Sequence, residues 1–333
     1  MKKNNAINRL LLGLFLLVTG ISCKQQTNNT KITGLVFGTF YEVTYVSETN
    51  MMYQKEFDSL FYAINKSMST YQANSDISKL NRNESHTIDS HFSKVFEASK
   101  SIYKETKAVF DPTIGAVVNA WDFGPEGQVK NLDSLKIESL MLSVGFDKVI
   151  IDGNKVIKPE NTFLDFNAIA KGYAVDVIGE FLETEQIENY MINIGGEIRT
   201  KGINIEKKSG WKVGIEHPNF DGTQSFEKIL VLKDEAMATS GTYRKFKIDE
   251  SGNRYAHIID TKTGYPSKTN ILSVSVIADD CMTADAYATA FQAMGIENVK
   301  RFLDTHSEYK VFLIFEDASK ELKTVSLNGF PES

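Results

Sequence analysis

The sequence predicts an α+β fold, built as one compact unit that can divide into two lobes. Predicted helices and strands are mixed along the chain without the regular strand–helix–strand alternation of a doubly wound sheet. Hydrophobic residues make up 42% of the 333 residues and charged residues 24%, which is close to the globular average and excludes wholesale disorder. No stretch inside residues 32–333 has the composition of a linker, so we expect one domain there.

The elements of this unit follow from residue periodicity and turn signals. Apolar residues at helical spacing predict four helices, at 53–64, 92–103, 168–183 and 281–294. Runs rich in β-branched and aromatic residues predict strands at 36–46, 211–216, 227–233, 243–249, 254–259, 271–277 and 309–315, with two more on either side of the glycine pair 195–196. Asp152-Gly153 between two short apolar runs predicts a hairpin over 150–156.

The N-terminal residues are typical of an export signal. Basic residues precede an apolar stretch at 10–21 that is too short to span a bilayer comfortably. The stretch ends in small residues before Cys23, which resembles the lipobox of bacterial lipoproteins, where the cysteine thiol is acylated. An ordinary signal peptide with an incidental cysteine is the alternative. We therefore expect a signal peptide over 1–22 and a lipidated N-terminus with a polar tether over 23–31.

Charge and cysteine content exclude several classes of protein. Lys and Arg number 37 against 43 for Asp and Glu, so the net charge is −6, which argues against a nucleic-acid partner. The two cysteines, Cys23 and Cys281, are too few for a disulfide framework or a thiolate metal site. The motifs of α/β-hydrolases, zincins and classical dinucleotide folds do not occur.

The predicted helix at 281–294 carries a candidate metal site. Asp285 and Thr289 are four residues apart, so their oxygens share one face of the helix. A carboxylate with a hydroxyl suits a hard cation such as Mg²⁺. The alternative is a helix that packs through its alanines, with Asp285 in a capping or ion-pair role.

Three other segments are candidates for ligand contacts. Residues 165–176 open a helix with Lys171 in its first turn, which favours phosphate binding, although a capped helix with Lys171 in solvent is the alternative. Aromatic residues over 110–123, beside a helix that Pro112 initiates, can sandwich a flat ring or pack in the core. His257 ends a predicted strand and is either structural or a proton-transfer group. We expect the other four histidines, His86, His91, His217 and His306, at the surface.

Eight short segments, taken in their order along the chain, resemble the ApbE family, whose members are FAD:protein FMN transferases and in many cases exported lipoproteins. The segments are FGTFY at 37–41, MSTY at 68–71, FDPTIG at 110–115, the 165–176 segment, NIGG at 193–196, ATSGTY at 238–243, HIID at 257–260 with TGYP at 263–266, and ADAYAT at 284–289. The resemblance covers residues 32–315.

The resemblance implies an ApbE-like mixed fold with FAD bound in a cleft between two lobes. Mg²⁺ would assist cleavage of the FAD pyrophosphate, and FMN would pass to a threonine hydroxyl of a target protein, with AMP released. Carried over residue by residue, the flavin contacts would be Phe37, Tyr71, Val109, Phe110, Asp111, Asp165, Lys171 and Ile259, where Phe37 replaces a frequent methionine. The metal would be held by Asp285, Thr289 and a backbone oxygen of Ala168 or Ala288.

The resemblance also frames the chemistry and the partners. His257 is our candidate for the base that takes the threonine proton, and Asp260 or another carboxylate is the alternative that orients the hydroxyl. We expect acceptors among exported subunits of respiratory electron-transfer complexes, and an inner-membrane anchor, facing the periplasm, through lipid on Cys23. A Mg²⁺-dependent FAD pyrophosphatase and a non-catalytic FAD-binding lipoprotein are the alternative functions.

Overall fold

The structure is a computed structural model that describes residues 28–47, 51–127, 129–243, 246–248 and 254–332. The predicted signal peptide and Cys23 lie outside these residues. The first strand begins at Asn28, so residues 28–31, which are predicted as part of a tether, belong to a strand. Within the described part of the chain, no helix combines the length and the apolar character needed to cross a membrane.

Fourteen strands and eight α-helices occur in the described residues. The strands are β1 Asn28–Val36, β2 Thr39–Ser47, β3 Ile150–Asp152, β4 Lys155–Ile157, β5 Tyr190–Ile194, β6 Glu197–Lys201, β7 Trp211–Glu216, β8 Phe226–Leu232, β9 Ala236–Gly241, β10 Phe246–Ile248, β11 Arg254–Ala256, β12 Ile271–Ala278, β13 Lys310–Glu316 and β14 Leu322–Leu327. The helices are α1 Gln54–Met68, α2 Asp76–Asn81, α3 Ser90–Glu105, α4 Gly115–Ala120, α5 Ser134–Met141, α6 Ala170–Thr184, α7 Cys281–Met294 and α8 Ile296–Leu303.

One antiparallel sheet of eight strands organises the molecule. Its strand order is β1-β2-β5-β6-β9-β12-β13-β14, and every neighbouring pair is antiparallel. The pairs β3–β4, β7–β8 and β10–β11 form separate two-stranded ribbons. This arrangement confirms the predicted α+β class, because the helices are not crossovers between parallel strands.

Both faces of the sheet are covered. Helices α1, α3, α6 and α7 pack on one face, and the β7–β8 ribbon packs on the other. Strand β12 shows the consequence, because all eight of its residues are buried. Val274 and Val276 join the core on the helix side, whereas Ile277 joins the core on the ribbon side. Continuous apolar character is what a strand between two covered faces requires.

A separate apolar cluster forms a smaller lobe. Its buried members are Val117, Val144 and Ile259, and residues of α4 and α5 pack against it. This lobe and the main sheet face each other across a cavity, which agrees with the expected division into two lobes.

The structure corrects the prediction for the N-terminal strands. The sequence predicts one strand over 36–46, but β1 and β2 form a hairpin whose turn is Phe37-Gly38. Both turn residues have positive φ, 51° and 74°, a conformation that glycine adopts freely. Strand-forming residues continue on both sides of the turn, so Gly38 was the one signal of a break.

Other elements escaped the sequence prediction. These are the short helices α2, α5 and α8 and the strands β9 and β14. The predicted strand at 243–249 is observed only as β10, within the described residues. The remaining predicted helices and strands are confirmed with shifts of a few residues at their ends.

Helices α6 and α7 approach each other closely at Gly172. A Cβ atom on Gly172 would lie 2.3 Å from the carbonyl oxygen of Cys281, which is backbone and cannot turn aside. Gly172 is therefore required by the distance between the two helices rather than by its own backbone angles.

Replacement of this glycine should be destabilising although alanine is the better helix former. We expect Gly172→Ala to lower the free energy of unfolding by about 1–3 kcal/mol, because the two helices must separate. Gly179→Ala on the same helix is the matched control, since its Cβ would meet side chains of Tyr190 and Arg199 at 3.0–3.1 Å. Denaturant unfolding of both variants measures the difference, and equal effects would contradict the close-contact explanation.

Candidate functional site

A cavity of about 650 Å³ lies between the main sheet and the smaller lobe. The structure brings most of the candidate residues from the sequence into its lining. They are Tyr71, Val109, Phe110, Asp111, Asp165, Ala168, Lys171, His257, Ile259, Asp285 and Thr289. Residues that are more than 200 positions apart in the chain thus meet in one place.

Phe37 and Ala288 are not in this lining. Phe37 lies in the β1–β2 turn, and its ring packs edge-on against Phe61 at 5.7 Å between centroids. Phe40, three residues later, lines the cavity instead and is 54% exposed. Of the two alanines proposed to offer a backbone oxygen, Ala168 lines the cavity, whereas Ala288 is fully buried in α7.

The Asp285 carboxylate is fixed by the contact between α6 and α7. Its Oδ2 accepts a hydrogen bond of 3.0 Å from the backbone N–H of Gly172. Burial raises the pKa of Asp285, while the positive charge of Lys171 and the Gly172 hydrogen bond oppose the rise. Asp285 does not cap α7, because Asp280 does so by accepting a 2.7 Å bond from the N–H of Thr283.

The start of α7 is held by a second carboxylate of α6. Asp176 accepts hydrogen bonds from the N–H groups of Cys281 and Met282 at 3.0 and 2.8 Å. The Arg199 guanidinium donates to the same carboxylate at 3.0 Å. Because Asp176 is one turn beyond Gly172, one face of α6 sets the position of the turn of α7 that carries Asp285.

Lys171 is paired within the site. Its ammonium donates to Oε1 of Glu197, a side chain that is only 3% exposed. The alternative of Lys171 in solvent is therefore wrong. Burial lowers the pKa of Lys171, but the charges of Glu197 and Asp285 outweigh that effect and leave it raised.

Glu197 is the buried carboxylate of the cavity lining that sequence reasoning missed. It begins β6 directly after the Gly195-Gly196 turn, where both glycines have positive φ. Its Oε2 is buried and has no hydrogen-bond partner among the described residues. Burial and the charge of Asp285 raise its pKa to about 7, and Lys171 opposes this. An acidic residue directly after a glycine pair was the available signal.

The wall away from α6 and α7 is formed by the segments around Asp111 and Asp165. Asp111 is buried, and its Oδ1 accepts bonds from the N–H and the hydroxyl of Thr113 at 2.8 and 2.6 Å. Burial raises the pKa of Asp111, and these two bonds oppose the rise. The N–H of Asp165 donates to the carbonyl of Pro112 at 2.8 Å, which joins the two segments. Tyr71 is 61% exposed at this wall.

His257 and Asp260 are separated by the geometry. His257 is half-buried and lines the cavity, with its ring 6.2 Å from that of Phe123. Asp260 is not in the lining, and its Oδ1 accepts a 2.8 Å bond from the N–H of Lys262 within a turn. Of the two, His257 is therefore the group that can reach a ligand.

The other four histidines lie away from the cavity lining. His86 is exposed as predicted, whereas His91, His217 and His306 are half-buried and have partners. His91, for example, lies 2.7 Å from the hydroxyl of Tyr173.

The residues of the site fit a hard divalent cation that a ligand helps to hold. The described residues contain no group of three or more His, Cys, Asp or Glu side chains arranged for a metal ion. Asp285, Thr289 and the backbone of Ala168 offer oxygen only, and the buried Oε2 of Glu197 beside them has no hydrogen-bond partner among the described residues. Mg²⁺ binds through one or two carboxylates and completes its shell with water and substrate phosphates, so this small donor set suits it.

Comparisons with known proteins identify relatives over most of the chain. The model of the ApbE family matches residues 37–313. The FAD:protein FMN transferase of Haemophilus influenzae is 34% identical over 87% of this chain and 88% of that protein. The protein of the same name from Vibrio cholerae is 34% identical over 96% of this chain and 97% of its own length.

Solved structures give the same result. The flavin transferase ApbE from Vibrio cholerae has a TM-score of 0.80 with 32% identity, covering 90% of this chain and 97% of that one. The apo form of the Pseudomonas stutzeri flavinyl transferase ApbE has a TM-score of 0.81 with 26% identity, covering 90% and 95%.

The raised pKa of Glu197 predicts a pH dependence of stability. Between its ordinary pKa of 4.5 and about 7, the folded protein binds a proton at Glu197 that the unfolded chain releases. The contribution of Glu197 to stability is therefore present at low pH and falls as the pH rises through this window.

Glu197→Gln removes this titration and leaves a side chain of the same size. The difference in unfolding free energy, wild type minus variant, should fall from pH 4.5 to pH 7. Thermal or denaturant unfolding at several pH values measures it, and a constant or rising difference would refute the raised pKa.

Proposed function

The chain belongs to the ApbE family, and from this premise we propose that it is a Mg²⁺-dependent FAD:protein FMN transferase. It cleaves FAD, attaches the FMN part through a phosphoester bond to a threonine of a target protein, and releases AMP. The observation that carries the proposal is one cavity lined by the Asp285–Thr289 pair, Lys171 and His257 together.

The wall formed by α6 and α7 would bind the diphosphate of FAD. Asp285, Thr289 and a backbone oxygen of Ala168 or Ala288 would hold Mg²⁺. When bound, the cation neutralises charge on the diphosphate oxygens and stabilises the leaving phosphate of AMP. Lys171 adds a positive charge at the start of α6, where backbone N–H groups also favour an anion.

The wall away from α6 and α7 would bind the flavin and activate the acceptor. Phe110 is buried and Tyr71 is exposed at the rim, so the two aromatic side chains offer a floor and an edge for a flat ring. Ile259 adds apolar surface to the same wall. His257 would accept the proton of the threonine hydroxyl, because a neutral hydroxyl is a weak nucleophile.

The proposed location rests on the N-terminal sequence, and the proposed class of acceptor rests on the resemblance to the ApbE family. The apolar segment at 10–21 and Cys23 support an exported lipoprotein that is anchored in the inner membrane through lipid on the cysteine and faces the periplasm. Its acceptors would then be exported subunits of respiratory electron-transfer complexes that carry a threonine for flavin attachment.

The test of the function is covalent transfer. The purified protein is incubated with FAD, Mg²⁺ and a candidate acceptor, and flavin fluorescence is read on the acceptor band after denaturation. Labelled acceptor together with AMP supports the proposal. Free FMN and AMP without label would make the protein a pyrophosphatase, and bound FAD without AMP would make it a carrier; either result contradicts transfer.

Asp285→Ala should abolish metal-dependent AMP release and leave the fold largely intact. The reason is that the Asp285 carboxylate faces the cavity and its one backbone bond is to Gly172. AMP release with and without Mg²⁺ is the measurement, and circular dichroism checks the fold. The control is Asp304→Ala, an exposed carboxylate at the end of α8. Full activity of Asp285→Ala would exclude the metal role.

His257→Ala should slow transfer by about a hundredfold or more, the usual scale for a general base, with FAD affinity nearly unchanged. Single-turnover transfer at saturating FAD and a separate FAD titration measure the two effects. His86→Ala at the exposed surface is the control. If FAD affinity falls while the saturated rate does not, His257 is a binding residue instead.

A further inference from the structure

Glu197 is a buried carboxylate at the cavity to which the proposed chemistry gives no role. It is 3% exposed and lines the cavity together with Lys171 and Asp285. One of its oxygens accepts from the Lys171 ammonium, and the other has no partner among the described residues. Burying a carboxylate is unfavourable unless the charge is paired, so its presence here calls for a reason.

The position of Glu197 is rigidly set. The side chain leaves the first residue of β6, whose neighbours β5 and β9 are central in the sheet. The turn before it is tied down by Asn193, whose Oδ1 accepts a 2.9 Å bond from the N–H of Gly196. Lys171 comes from the first turn of α6, and Asp285 comes from α7. Three separate elements therefore bring two carboxylates and one ammonium together.

Two carboxylates, those of Glu197 and Asp285, act on the Lys171 ammonium. The charges of Glu197 and Asp285 both raise the pKa of Lys171, so both act on it, but the contact is with Glu197. Among the described residues, the Asp285 carboxylate has no ion-pair partner within contact distance, and its hydrogen bond is from the Gly172 backbone. The structure thus holds Lys171 on one carboxylate and leaves the other without an ammonium.

This choice matters because an ammonium and a divalent cation compete for the same oxygens. If Lys171 paired with Asp285, it would occupy a carboxylate that the proposed metal site needs, and it would repel the incoming cation. Glu197 offers the ammonium a buried alternative where the attraction between opposite charges is strong.

We propose that Glu197 is a positioning residue that holds the Lys171 ammonium away from Asp285 and so keeps the Asp285 carboxylate open for the divalent cation. The inference rests on the proposed function for the metal role of Asp285. Glu197 itself is not a ligand of the cation in this account, because it acts through Lys171.

A double-variant cycle tests this with Mn²⁺ binding as the readout. Mn²⁺ affinity is measured by electron paramagnetic resonance at pH 8, without FAD, on the wild type, Glu197→Gln, Lys171→Met and the double variant. Glu180→Gln is the matched control, because it removes one negative charge from an exposed position on α6. Unfolding curves check that each variant is folded.

Glu197→Gln should weaken Mn²⁺ binding by about ten- to hundredfold, the scale for residues that orient metal ligands, whereas Glu180→Gln should not. Lys171→Met should bind Mn²⁺ at least as tightly as the wild type, because the competing ammonium is gone. In the Lys171→Met background, Glu197→Gln should have no further effect. Removal of Lys171 would also relieve any destabilisation that its unpaired ammonium causes, so Mn²⁺ affinities are compared only between variants that the unfolding curves show to be fully folded.

Three results would overturn the inference. The first is an unchanged Mn²⁺ affinity in Glu197→Gln. The second is a loss of Mn²⁺ affinity that persists in the double variant, because Glu197 would then act on the cation directly. The third is absence of Mn²⁺ binding by the wild type. Because FMN transfer has no part in the readout, a wild type that follows the predicted cycle but does not transfer FMN would refute the proposed function and leave the role of Glu197 standing.

Discussion

The close contact between α6 and α7 is the constraint on which the rest of the site depends. Gly172 lets the backbones meet, its N–H group binds Asp285, and Asp176 one turn later binds the first N–H groups of α7. The distance between the two helices leaves no room for a side chain, because a methyl group added at Gly172 would lie 2.3 Å from a carbonyl oxygen. The carboxylate of Asp285 is therefore positioned by backbone, which moves less than side chains do, and this is the preorganisation that charge stabilisation in an active site requires.

Burial gives these groups their chemical character. Asp285 and Glu197 are 6% and 3% exposed, so water does little to screen their charges from each other or from Lys171. The same burial raises the pKa of both carboxyl groups, and it makes each of them costly without a counter-charge. When both carboxyl groups are ionised, one ammonium for two carboxylates leaves the site one positive charge short, and this deficit supports the cation site that we propose.

Local patterns in the sequence were sufficient for helices and for contacts within one helix. The apolar spacing of α3 and α7 predicted both helices, and the i, i+4 relation predicted that Asp285 and Thr289 share a face. The β1–β2 turn was missed because strand-forming residues continue through it, and β9 was missed because its small residues carry weak strand preference. The family resemblance placed most of the cavity lining. Glu197 needed the structure, because the ion pair to Lys171 spans 26 residues and depends on how β6 meets α6.

The sign of the charge in the cavity connects the two halves of the proposed reaction. Without a cation, the carboxylates of Asp285 and Glu197 outweigh Lys171, and a diphosphate entering the cavity would be repelled. A bound divalent cation reverses that sign, so the same residues then attract the diphosphate. His257 is not part of the Lys171–Glu197–Asp285 cluster. It lies on the segment that follows β11, where a neutral imidazole would take a proton without competing for the cation. In the proposed reaction, the α6–α7 side of the cavity would bind the charged groups and His257 would take the proton, so different parts of one cavity would carry out the two tasks.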